Sequence, residues 1–423
     1  MDMITLSKPD KTLRGTLRLD GSKSISNRAL IVQALSGQAL GGPGLSDSKD
    51  TRTLYRLLQQ TENEYDAGDA GTTFRFMTAY LALQPGTQVL TGSARMRERP
   101  IGALVQALRA LGADIQFLEK EGYPPLRIGS LQHTGQHRIS IPADVSSQFL
   151  SALAMIGPYL PEGLELVPEG RLVSRPYLEM TLQLMRYFGA EVVWEGESVR
   201  IAPGTYQSRD FVVEADWSAA SYWYAFAAFA EEVDLKLEGL LANSWQGDAV
   251  LPKMMEAFGV HTEFEENGIR LSKNGKAPRP IFEWDFIACP DIAQTLAVVC
   301  AGLGVQGVFT GLETLSIKET DRIAALKAEL AKVGSSFSKL PARFSKKHPE
   351  KTYYMVSDKA SWQDPPQFAT YGDHRMAMAF APLAMLGVVQ VVEPGVVVKS
   401  YGGFWDDLKA VGVVADFVEL RMG

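Results

Sequence analysis

The chain contains few of the side chains from which metal centres and disulfide frameworks are built. Its 423 residues include two cysteines, Cys289 and Cys300, and five histidines. The histidines show neither HxxxH spacing nor the histidine–carboxylate pattern of a metal site. Because two cysteines do not make a disulfide framework, we expect reduced, buried thiols in a cytoplasmic protein. We therefore predict no metal and no cofactor.

The sequence also has no segment with the pattern of a membrane span. The first ten residues contain no apolar stretch behind a basic one, so we expect no signal peptide. The most apolar run covers residues 376–392, but Pro382, Gly387 and Gln390 interrupt it, and it is shorter than the roughly 18 apolar residues of a membrane span. We interpret this run as a buried helix that leads into a strand.

Positive charge is scarce relative to negative charge. The 49 Asp and Glu residues outnumber the 42 Lys and Arg residues, and the formal net charge is −7. Because nucleic-acid binders depend on neutralising phosphates, this balance argues against nucleic acid as a partner. An anionic ligand would have to be bound by local clusters of cations. With 46% hydrophobic residues, the chain can build more than one domain core.

The chain does have a repeated pattern of an amphipathic helix, a glycine and a short strand. In the copy at residues 104–117, Leu104, Leu108 and Leu111 fall at helical spacing before Gly112. A glycine in this position is typical of a helix that ends in the left-handed conformation. The pattern recurs about every 75 residues, at Gly112, Gly189, Gly259, Gly334 and Gly412.

A period of this length divides the chain into six units, of which the first, around residues 54–65, is degenerate. Each unit is long enough for two helices and about four strands, which predicts an α/β fold. We expect two domains of three units each, formed by residues 1–19 with 217–423 and by residues 20–216. The connections near residues 19–21 and 214–218 would form a hinge, and the ligand cleft would lie between the domains.

The stretch at residues 20–28, with the sequence DGSKSISNR, concentrates ligand-binding chemistry. A glycine turn that leads into a helix can direct backbone N–H groups and the Lys23 ammonium at an anion. Ser24 and Arg28 would share one face of that helix. A Walker A loop is excluded, because Ser22 stands where that motif needs glycine. The alternative is a surface helix capped by serine.

Six further stretches combine hydroxyl, amide or cationic groups with a turn or a helix start. They are residues 67–75, 92–100, 144–149, 172–177, 317–322 and 372–378. Taken singly, each also fits a structural role: a tight turn, a helix N-cap or an ion pair within a surface helix. In the second stretch Arg95, Arg97 and Arg99 alternate along a loop, so they cannot all point one way and we expect one or two to contact ligand.

Charged residues also fall where the chain should be buried. Lys318 and Arg322 are spaced as neighbours on one helix. His374 and Arg375 begin an apolar helix, and Lys399 ends an apolar strand. Because a buried charge is costly unless it is paired, these positions favour a functional site.

Together these residues predict a site for a ligand with several negative charges. Two phosphates and carboxylates would fit the cations, which are Lys23, Arg28, Arg95, Lys318, Arg322, Arg375 and Lys399. Asp291 and Glu319 supply carboxylates, so general acid–base catalysis is available without a metal.

Seven motifs, in order along nearly the whole chain, resemble those of the 5-enolpyruvylshikimate-3-phosphate synthase family. They are GSKSISNRA, AGTT, RMRERPI, DVSSQFL, LVSRPY, KETDR and DHRMAM. The resemblance implies an inside-out α/β barrel of six βαβαββ repeats in two hinged domains. It also implies transfer of the enolpyruvyl group of phosphoenolpyruvate to the 5-hydroxyl of shikimate 3-phosphate, with release of phosphate from a tetrahedral intermediate. We expect a monomer whose partners are these two small molecules, without nucleic acid or membrane.

The resemblance further implies a role for each matching residue. Shikimate 3-phosphate would be bound by Lys23, Ser24, Arg28, Ser146, Ser147, Gln148, Ser174, Tyr177, Asp291 and Lys318. Phosphoenolpyruvate would be bound by Lys23, Gly71, Thr72, Arg95, Gln148, Arg322, Arg375 and Lys399. The catalytic residues would be Lys23, Asp291, Lys318, Glu319 and His374. Among them, Asp291 would be the base for the 5-hydroxyl, and Glu319 and Lys23 would protonate the methylene carbon.

Two positions depart from the family pattern. Asp69 stands where the family has asparagine, and its carboxylate would repel phosphate unless it pairs with a cation. Thr314 replaces another asparagine and offers one amide contact fewer. Two alternatives are kept: a sister transferase of UDP-amino sugars, and a non-catalytic protein that binds phosphorylated ligands on the same scaffold. The sister enzymes have a Lys-Asn pair where this chain has Lys23-Ser24, and a cysteine in the arginine loop.

Overall fold

The computed structural model describes residues 2–142, 147–170, 172–346 and 348–419. These residues form two compact units. The terminal unit comprises the chain up to Asp20 together with the chain from Glu214 onward, and the inserted unit comprises Gly21–Val213. No helix in this described part is long and apolar enough to cross a membrane.

The described part of the terminal unit contains three four-stranded sheets. Their strands are β1 (Asp2–Ser7), β18 (Gln367–Phe368), β19 (Val389–Val392) and β20 (Val414–Glu419); β2 (Thr12–Arg18), β11 (Glu232–Glu238), β12 (Val260–Glu265) and β13 (Gly268–Lys273); and β14 (Ile281–Asp285), β15 (Gln306–Thr310), β16 (Ser336–Lys339) and β17 (Tyr354–Ser357). The α-helices are α8 (Trp217–Phe229), α9 (Leu251–Met255), α10 (Ala293–Leu303), α11 (Arg322–Ala331), α12 (His374–Phe380) and α13 (Phe404–Ala410). The 3-10 helices are Gly247–Val250, Glu256–Phe258, Phe286–Ala288, Pro290–Ile292, Glu313–Ile317, Ala342–Ser345, Ala381–Met385 and Pro394–Lys399.

The inserted unit contains two four-stranded sheets among its described residues. Their strands are β3 (Glu64–Asp66), β4 (Thr87–Thr91), β5 (Ile115–Phe117) and β6 (Leu126–Gly129), and then β7 (Arg138–Pro142), β8 (Leu164–Glu169), β9 (Val192–Glu195) and β10 (Ser198–Ile201). The helices are α1 (Lys23–Ser36), α2 (Lys49–Leu58), α3 (Gly71–Ala82), α4 (Ala94–Arg97), α5 (Gly102–Leu111), α6 (Ser147–Ile156) and α7 (Arg175–Tyr187), with one 3-10 turn at Gly157–Tyr159.

All five of these sheets share one strand order. Four run β3-β4-β6-β5, β7-β8-β10-β9, β2-β11-β13-β12 and β14-β15-β17-β16, and in each the first two strands are parallel and the other pairs antiparallel. In the fifth, β18-β19-β1-β20, the first strand of the chain takes the same place as β6, β10, β13 and β17. A parallel pair needs a crossover, and a helix supplies it between β3 and β4, β7 and β8, β14 and β15, and β18 and β19.

The core of the terminal unit packs around α8. Apart from Ser218, every residue of this helix is buried, including Trp217 and Trp223. A helix that is apolar on all sides is stable only when other elements surround it. In the inserted unit α6 has the same character, because its residues from Phe149 to Ile156 are all buried.

The five repeated glycines all adopt positive φ, as the sequence predicts. The angles are 106° at Gly112, 89° at Gly189, 83° at Gly259, 74° at Gly334 and 80° at Gly412. At Gly112, which caps α5, a Cβ atom would also lie 1.9 Å from the carbonyl oxygen of Gln132. Glycine is therefore required there both for its backbone conformation and for its lack of a side chain.

The apolar run at residues 376–392 is a buried helix followed by a strand, as predicted. It comprises most of α12, the 3-10 helix Ala381–Met385 and β19. Every residue of α12 and of this 3-10 helix is buried. The prediction for Lys399 is wrong, because this residue ends the 3-10 helix Pro394–Lys399 instead of a strand. Pro394 opens that helix at a position where its missing N–H costs nothing, and it ends strand pairing.

Candidate active site

Lys23 lies at the first position of α1, directly after the buried N-cap residue Ser22. Its Nζ is 3.3 Å from Oδ2 of Asp50, a buried residue in the first turn of α2. The Thr73 hydroxyl of α3 donates to the Asp50 carbonyl oxygen over 3.1 Å. These bonds hold the first turns of three helices together. Positive helix ends and an ammonium in one place favour an anionic ligand.

Arg28 lies on the same helix as Lys23, α1, and is only 1% exposed. Its Nε donates to the Thr181 hydroxyl over 2.6 Å, and its Nη1 donates to the Ser24 carbonyl over 2.8 Å. Its Nη2 donates to the Ser151 hydroxyl and the Tyr177 carbonyl, both over 3.2 Å. Burial lowers the pKa of Arg28 to about 10. The structure thus gives this guanidinium protein partners at all three nitrogens, and a ligand contact would have to share or replace one of them.

The helix start at Gly71 faces two guanidinium groups. A Cβ on Gly71 would lie 2.5 Å from Nη1 of Arg99 and 2.7 Å from Nη1 of Arg75, so a side chain there would displace these guanidinium groups. Next to it, the Thr72 hydroxyl accepts a hydrogen bond from Nε2 of Gln148 over 2.9 Å. This bond joins α3 to the first turn of α6, where Ser147 also lies.

Ser174 and Tyr177 lie at the start of α7. Ser174 precedes the helix with a φ of 59°, in the left-handed region that disfavours residues with a side chain. Ser146 and Asp144 lie outside the described residues. We define the Lys23 cluster as Lys23, Ser24, Arg28, Asp50, Gly71, Thr72, Ser147, Gln148, Ser174 and Tyr177.

The arginine loop differs from the prediction, because Ala94–Arg97 forms a short helix capped by Ser93. Arg95 contacts Glu98 at 2.8 Å and Arg97 contacts Glu119 at 2.8 Å, so the side chains diverge as helix geometry requires. The Ser93 hydroxyl donates to Asp69. The partner of Asp69 is therefore a hydroxyl group and not the cation that, according to the sequence analysis, would offset the repulsion between Asp69 and phosphate.

In the terminal unit, Arg322 opens α11 and is 1% exposed. Three carboxylates surround its guanidinium: Nε lies 2.7 Å from Asp373, Nη2 lies 2.8 Å from Glu319, and Nη1 lies 3.1 Å from Asp291. Burial by itself would lower the pKa of Arg322, but the three carboxylates outweigh it and raise the pKa above its usual range. Arg322 therefore stays charged and organises the acids around it.

Asp291 is the acid that the most cations share. Its Oδ2 lies 3.0 Å from Nη2 of Arg375, and its Oδ1 lies 3.1 Å from Arg322 and 3.8 Å from Nζ of Lys318. Burial lowers the pKa of Lys318, and the positive charge of Arg322 also acts in that direction. Nζ of Lys399 lies 3.8 Å from Oε1 of Glu319.

We define the Arg322 cluster as Asp291, Lys318, Glu319, Arg322, Asp373, Arg375 and Lys399. Lys318 follows the 3-10 helix Glu313–Ile317 and α11 begins at Arg322, so these two residues are not neighbours on one helix as their spacing suggested. His374 is buried, with Nδ1 3.7 Å from Asp373.

Two acids of these clusters escaped the sequence argument. Asp50 and Asp373 each neutralise a predicted ligand cation, Lys23 and Arg322 respectively. Asp373 stands inside the DHRMAM motif and caps α12 through the backbone N–H of Arg375, so its N-cap position was a usable signal. No group of three His, Cys, Asp or Glu residues in the described ranges is arranged to hold a metal ion.

The chain is similar to known proteins over nearly its whole length. Residues 53–408 match the family model described as EPSP synthase (3-phosphoshikimate 1-carboxyvinyltransferase). The chain is 46% identical over 420 residues to a 3-phosphoshikimate 1-carboxyvinyltransferase of Bacteroides fragilis, covering 96% of this chain and 97% of the relative. It is 36% identical over 430 residues to the protein of that name from Neisseria meningitidis serogroup B, covering 95% and 96%.

Solved structures share the fold. An EPSP synthase from Acinetobacter baumannii superimposes with a TM-score of 0.78 at 22% identity, covering 99% of this chain and 100% of that one. The enolpyruvyl transferase NikO from Streptomyces tendae gives a TM-score of 0.73 at 13% identity, covering 99% of both chains.

Proposed function

Because this chain belongs to the EPSP synthase family, we propose that its two clusters divide the work of a 3-phosphoshikimate 1-carboxyvinyltransferase. The chain's activity is enolpyruvyl transfer in the shikimate pathway. What we propose is the role of each residue. The observation that carries the proposal is the position of Asp291 among Arg322, Arg375 and Lys318.

The Lys23 cluster binds shikimate 3-phosphate. Its hydroxyls, amide and phenol, from Ser24, Ser147, Gln148, Ser174 and Tyr177, suit a ligand with several hydroxyl groups and a phosphate. Lys23 and Arg28 supply the positive charge. Support comes from the bonds that link the first turns of α1, α2 and α3, since helix N-termini favour a phosphate. Ser146 belongs to the same proposed set by its place in the DVSSQFL motif.

The Arg322 cluster binds the carboxylate of phosphoenolpyruvate through Arg322, Arg375 and Lys399. In the inserted unit, the phosphate of the same molecule is assigned to Lys23, Gly71, Thr72, Arg95 and Gln148. A bidentate guanidinium suits a planar carboxylate, which supports the division. Arg322 has protein carboxylates at every nitrogen, so substrate binding would require at least one of these acids to move or to share its partner.

Asp291 starts the reaction as general base for the 5-hydroxyl, and Lys318 contacts the same substrate. The hydroxyl oxygen forms a bond to C2 of phosphoenolpyruvate while its proton passes to Asp291. Glu319, with Lys23, delivers a proton to the methylene carbon, which gives a tetrahedral ketal phosphate. Glu319, now ionised, takes a proton back from the new methyl group, so that the double bond forms again as the bond from C2 to the phosphate oxygen breaks. The leaving phosphate takes the proton that Asp291 had accepted. His374 orients Asp373 and Arg375. The cations of the Arg322 cluster stabilise the negative charge that develops on the reacting substrates.

The finer architecture also belongs to the proposal. Five sheets of one strand order among the described residues support an inside-out barrel of six βαβαββ repeats, of which the first, around residues 54–65, is degenerate. We propose a hinge near residues 19–21 and 214–218, a monomer, and a cytoplasmic location. The buried, unpaired cysteines Cys289 and Cys300 fit a reducing compartment.

The function is tested by phosphate release from phosphoenolpyruvate. Release should require shikimate 3-phosphate and should not occur with a UDP-amino sugar in its place. Binding of shikimate 3-phosphate without turnover would contradict the assignment and favour a non-catalytic binding protein. Release with the UDP-amino sugar alone would overturn the substrate while leaving the fold unchanged.

A further inference from the structure

Asp248 is a buried carboxyl that no step above uses. It lies in the 3-10 helix Gly247–Val250 and is 4% exposed. One carboxyl oxygen accepts a hydrogen bond from the hydroxyl of Ser218, the one residue of α8 that is not fully buried. Its other oxygen, Oδ1, is buried and has no hydrogen-bond partner among the described residues. An ionised carboxylate with an unpaired buried oxygen is unfavourable, so this environment favours the neutral acid.

Helix α8, whose Ser218 donates to Asp248, also contacts the Arg322 cluster. One turn after Ser218, the Tyr222 hydroxyl accepts a hydrogen bond from Nη1 of Arg375 over 3.5 Å. Arg375 in turn holds Asp291. Because Ser218 and Tyr222 are four residues apart on α8, they lie on one face of the helix. Asp248 is therefore connected to this face of α8 through Ser218, and Asp291 is connected to it through Arg375 and Tyr222.

Several charged or titratable groups face Asp248. From the start of α8 these are Asp216 and Ser218, from the turns at residues 286–292 they are Cys289 and Asp291, and from α12 it is Arg375. Burial raises the pKa of Asp248 to about 7, and the negative charge of Asp291 adds to the effect. Burial likewise raises the pKa of the Cys289 thiol above its usual range, so this group stays neutral. Lys253, on the next helix, lies over the Trp284 ring instead.

The protonation state of Asp248 changes the charge balance next to the Arg322 cluster. The cluster has four cations, Lys318, Arg322, Arg375 and Lys399, against three acids, Asp291, Glu319 and Asp373. With Asp248 neutral, one positive charge is in excess for an anionic substrate. If Asp248 loses its proton, a fourth acid cancels that excess. Within a protein interior such a charge is only weakly screened.

We propose that Asp248 is a positioning residue that acts through Arg375, and that its proton sets the affinity of the Arg322 cluster for phosphoenolpyruvate. When Asp248 is protonated, Arg375 pairs with Asp291 and the substrate carboxylate. When Asp248 is ionised, its carboxylate competes with these two groups for Arg375. This inference rests on the proposed function, since it takes the carboxylate of phosphoenolpyruvate as the ligand of Arg375. It predicts a pH-dependent KM at constant kcat, which a purely structural role for Asp248 would not produce.

The test compares the wild type with Asp248→Asn, a neutral mimic of the protonated acid, and with Ser218→Ala. Steady-state KM for phosphoenolpyruvate is measured at saturating shikimate 3-phosphate from about pH 5.5 to about pH 8.5. Relative to Asp248→Asn, the wild-type KM should rise about three- to tenfold across this range while the kcat ratio stays within about twofold. The substrate phosphate titrates in the same range, but equally for both proteins. Asp406→Asn removes an exposed acid and should follow the wild type.

Ser218→Ala gives the second arm. The Ser218 hydroxyl favours the ionised form of Asp248, so its removal should move the rise in KM to higher pH. A ratio of wild-type to Asp248→Asn KM values that is flat with pH would overturn the proposal, as would a shift to lower pH in Ser218→Ala. If Asp248→Asn fails to fold, the direction of the Ser218→Ala shift still decides.

The titration itself is measured without turnover. In protein labelled with ¹³C at aspartate carboxyls, the Asp248 resonance should titrate near neutral pH and at higher pH in Ser218→Ala. A midpoint near the ordinary aspartate pKa of about 4 would overturn the proposal. Absence of wild-type turnover with a near-neutral titration would instead contradict the proposed function and leave the protonation of Asp248 standing.

Discussion

Arg28 and Arg322 are both 1% exposed, yet the two units compensate their charges in opposite ways. Arg28 in the inserted unit donates to hydroxyl and carbonyl oxygens, and burial lowers its pKa to about 10. Arg322 in the terminal unit contacts three carboxylates, which outweigh burial and raise its pKa. Neutral partners keep a positive charge available to an anion. Carboxylate partners can take up and give back protons.

The difference matches the chemistry proposed for each unit. Hydroxyls and amides around Arg28 and Lys23 can hold a phosphorylated, hydroxylated ligand without taking part in proton transfer. The acids around Arg322 include Asp291 and Glu319, the proposed base and proton donor of the reaction. The carboxylates proposed for proton transfer thus lie in the Arg322 cluster, whereas the Lys23 cluster combines neutral binding groups with the proposed proton donor Lys23. The predictions below test this contrast, beginning with the largest expected effect.

Replacing Arg322 with methionine should destabilise the protein by about 3–5 kcal/mol. The change leaves Asp291, Glu319 and Asp373 as neighbouring carboxylates without their shared cation. The free energy of unfolding in urea measures the effect. A loss under about 1 kcal/mol would show that the three ion pairs do not hold the cluster together.

Asp248 should make the stability of the terminal unit depend on pH. Its folded pKa of about 7 lies above the ordinary value of 3.8, so the folded state binds this proton more tightly than the unfolded state. The contribution is fully present below about pH 4 and is lost as pH rises through about 7. Relative to wild type, Asp248→Asn should therefore gain up to about 4 kcal/mol between these limits.

Urea unfolding at several pH values measures this difference for the two proteins. A difference that does not change with pH would contradict the protonated acid. Asp406→Asn, which removes an exposed carboxylate, serves as the control and should show no such dependence.

Replacing Arg28 with methionine should cost less than the same change at Arg322, about 1–3 kcal/mol. The hydroxyls that Arg28 contacts keep other partners, since Thr181 donates to Ser151 over 2.8 Å and lies 2.9 Å from the Tyr177 carbonyl. No unpaired charge remains. Urea unfolding of the two variants side by side tests the contrast, and equal losses would remove it.

Replacing a repeated glycine with alanine should lower the free energy of unfolding by a similar amount in both units, and this is the smallest of the expected effects. Gly334→Ala places a side chain at a φ of 74° in the terminal unit, and Gly189→Ala does so at 89° in the inserted unit. Each should cost about 1 kcal/mol of unfolding free energy, with slightly more at Gly189 because the Gln207 side chain must move. Gly204→Ala is the matched control, since a Cβ atom there would meet no atom within 4 Å and the φ of Gly204 is not positive. An unchanged midpoint for Gly334→Ala would contradict the helix-end role.

The sequence predicted those features that depend on neighbouring residues. The glycine helix ends, the start of α1 at Lys23 and the buried run after Met376 follow from local spacing, and the structure confirms them. Lys399 was misplaced because apolar β-branched residues before it resemble a strand, while Pro394 directs a 3-10 turn.

Contacts between distant residues could not be predicted in this way. The pairing of Lys23 with Asp50, of Arg322 with Asp373, and of Asp248 with Ser218 depends on which helices the fold packs together. Both the residue pattern and the family resemblance grouped candidate cations from several motifs with Asp291 and Glu319, but neither included Asp50 or Asp373, which pair with Lys23 and Arg322.

The central claim is that Asp291 of the Arg322 cluster takes the proton of the 5-hydroxyl, while the Lys23 cluster binds shikimate 3-phosphate. Single-turnover phosphate release by Asp291→Asn, with both substrates saturating, tests it most directly. The account predicts a rate about 10²–10⁴-fold below that of the wild type, with tight binding of shikimate 3-phosphate retained. A rate within about threefold of the wild type would contradict the claim.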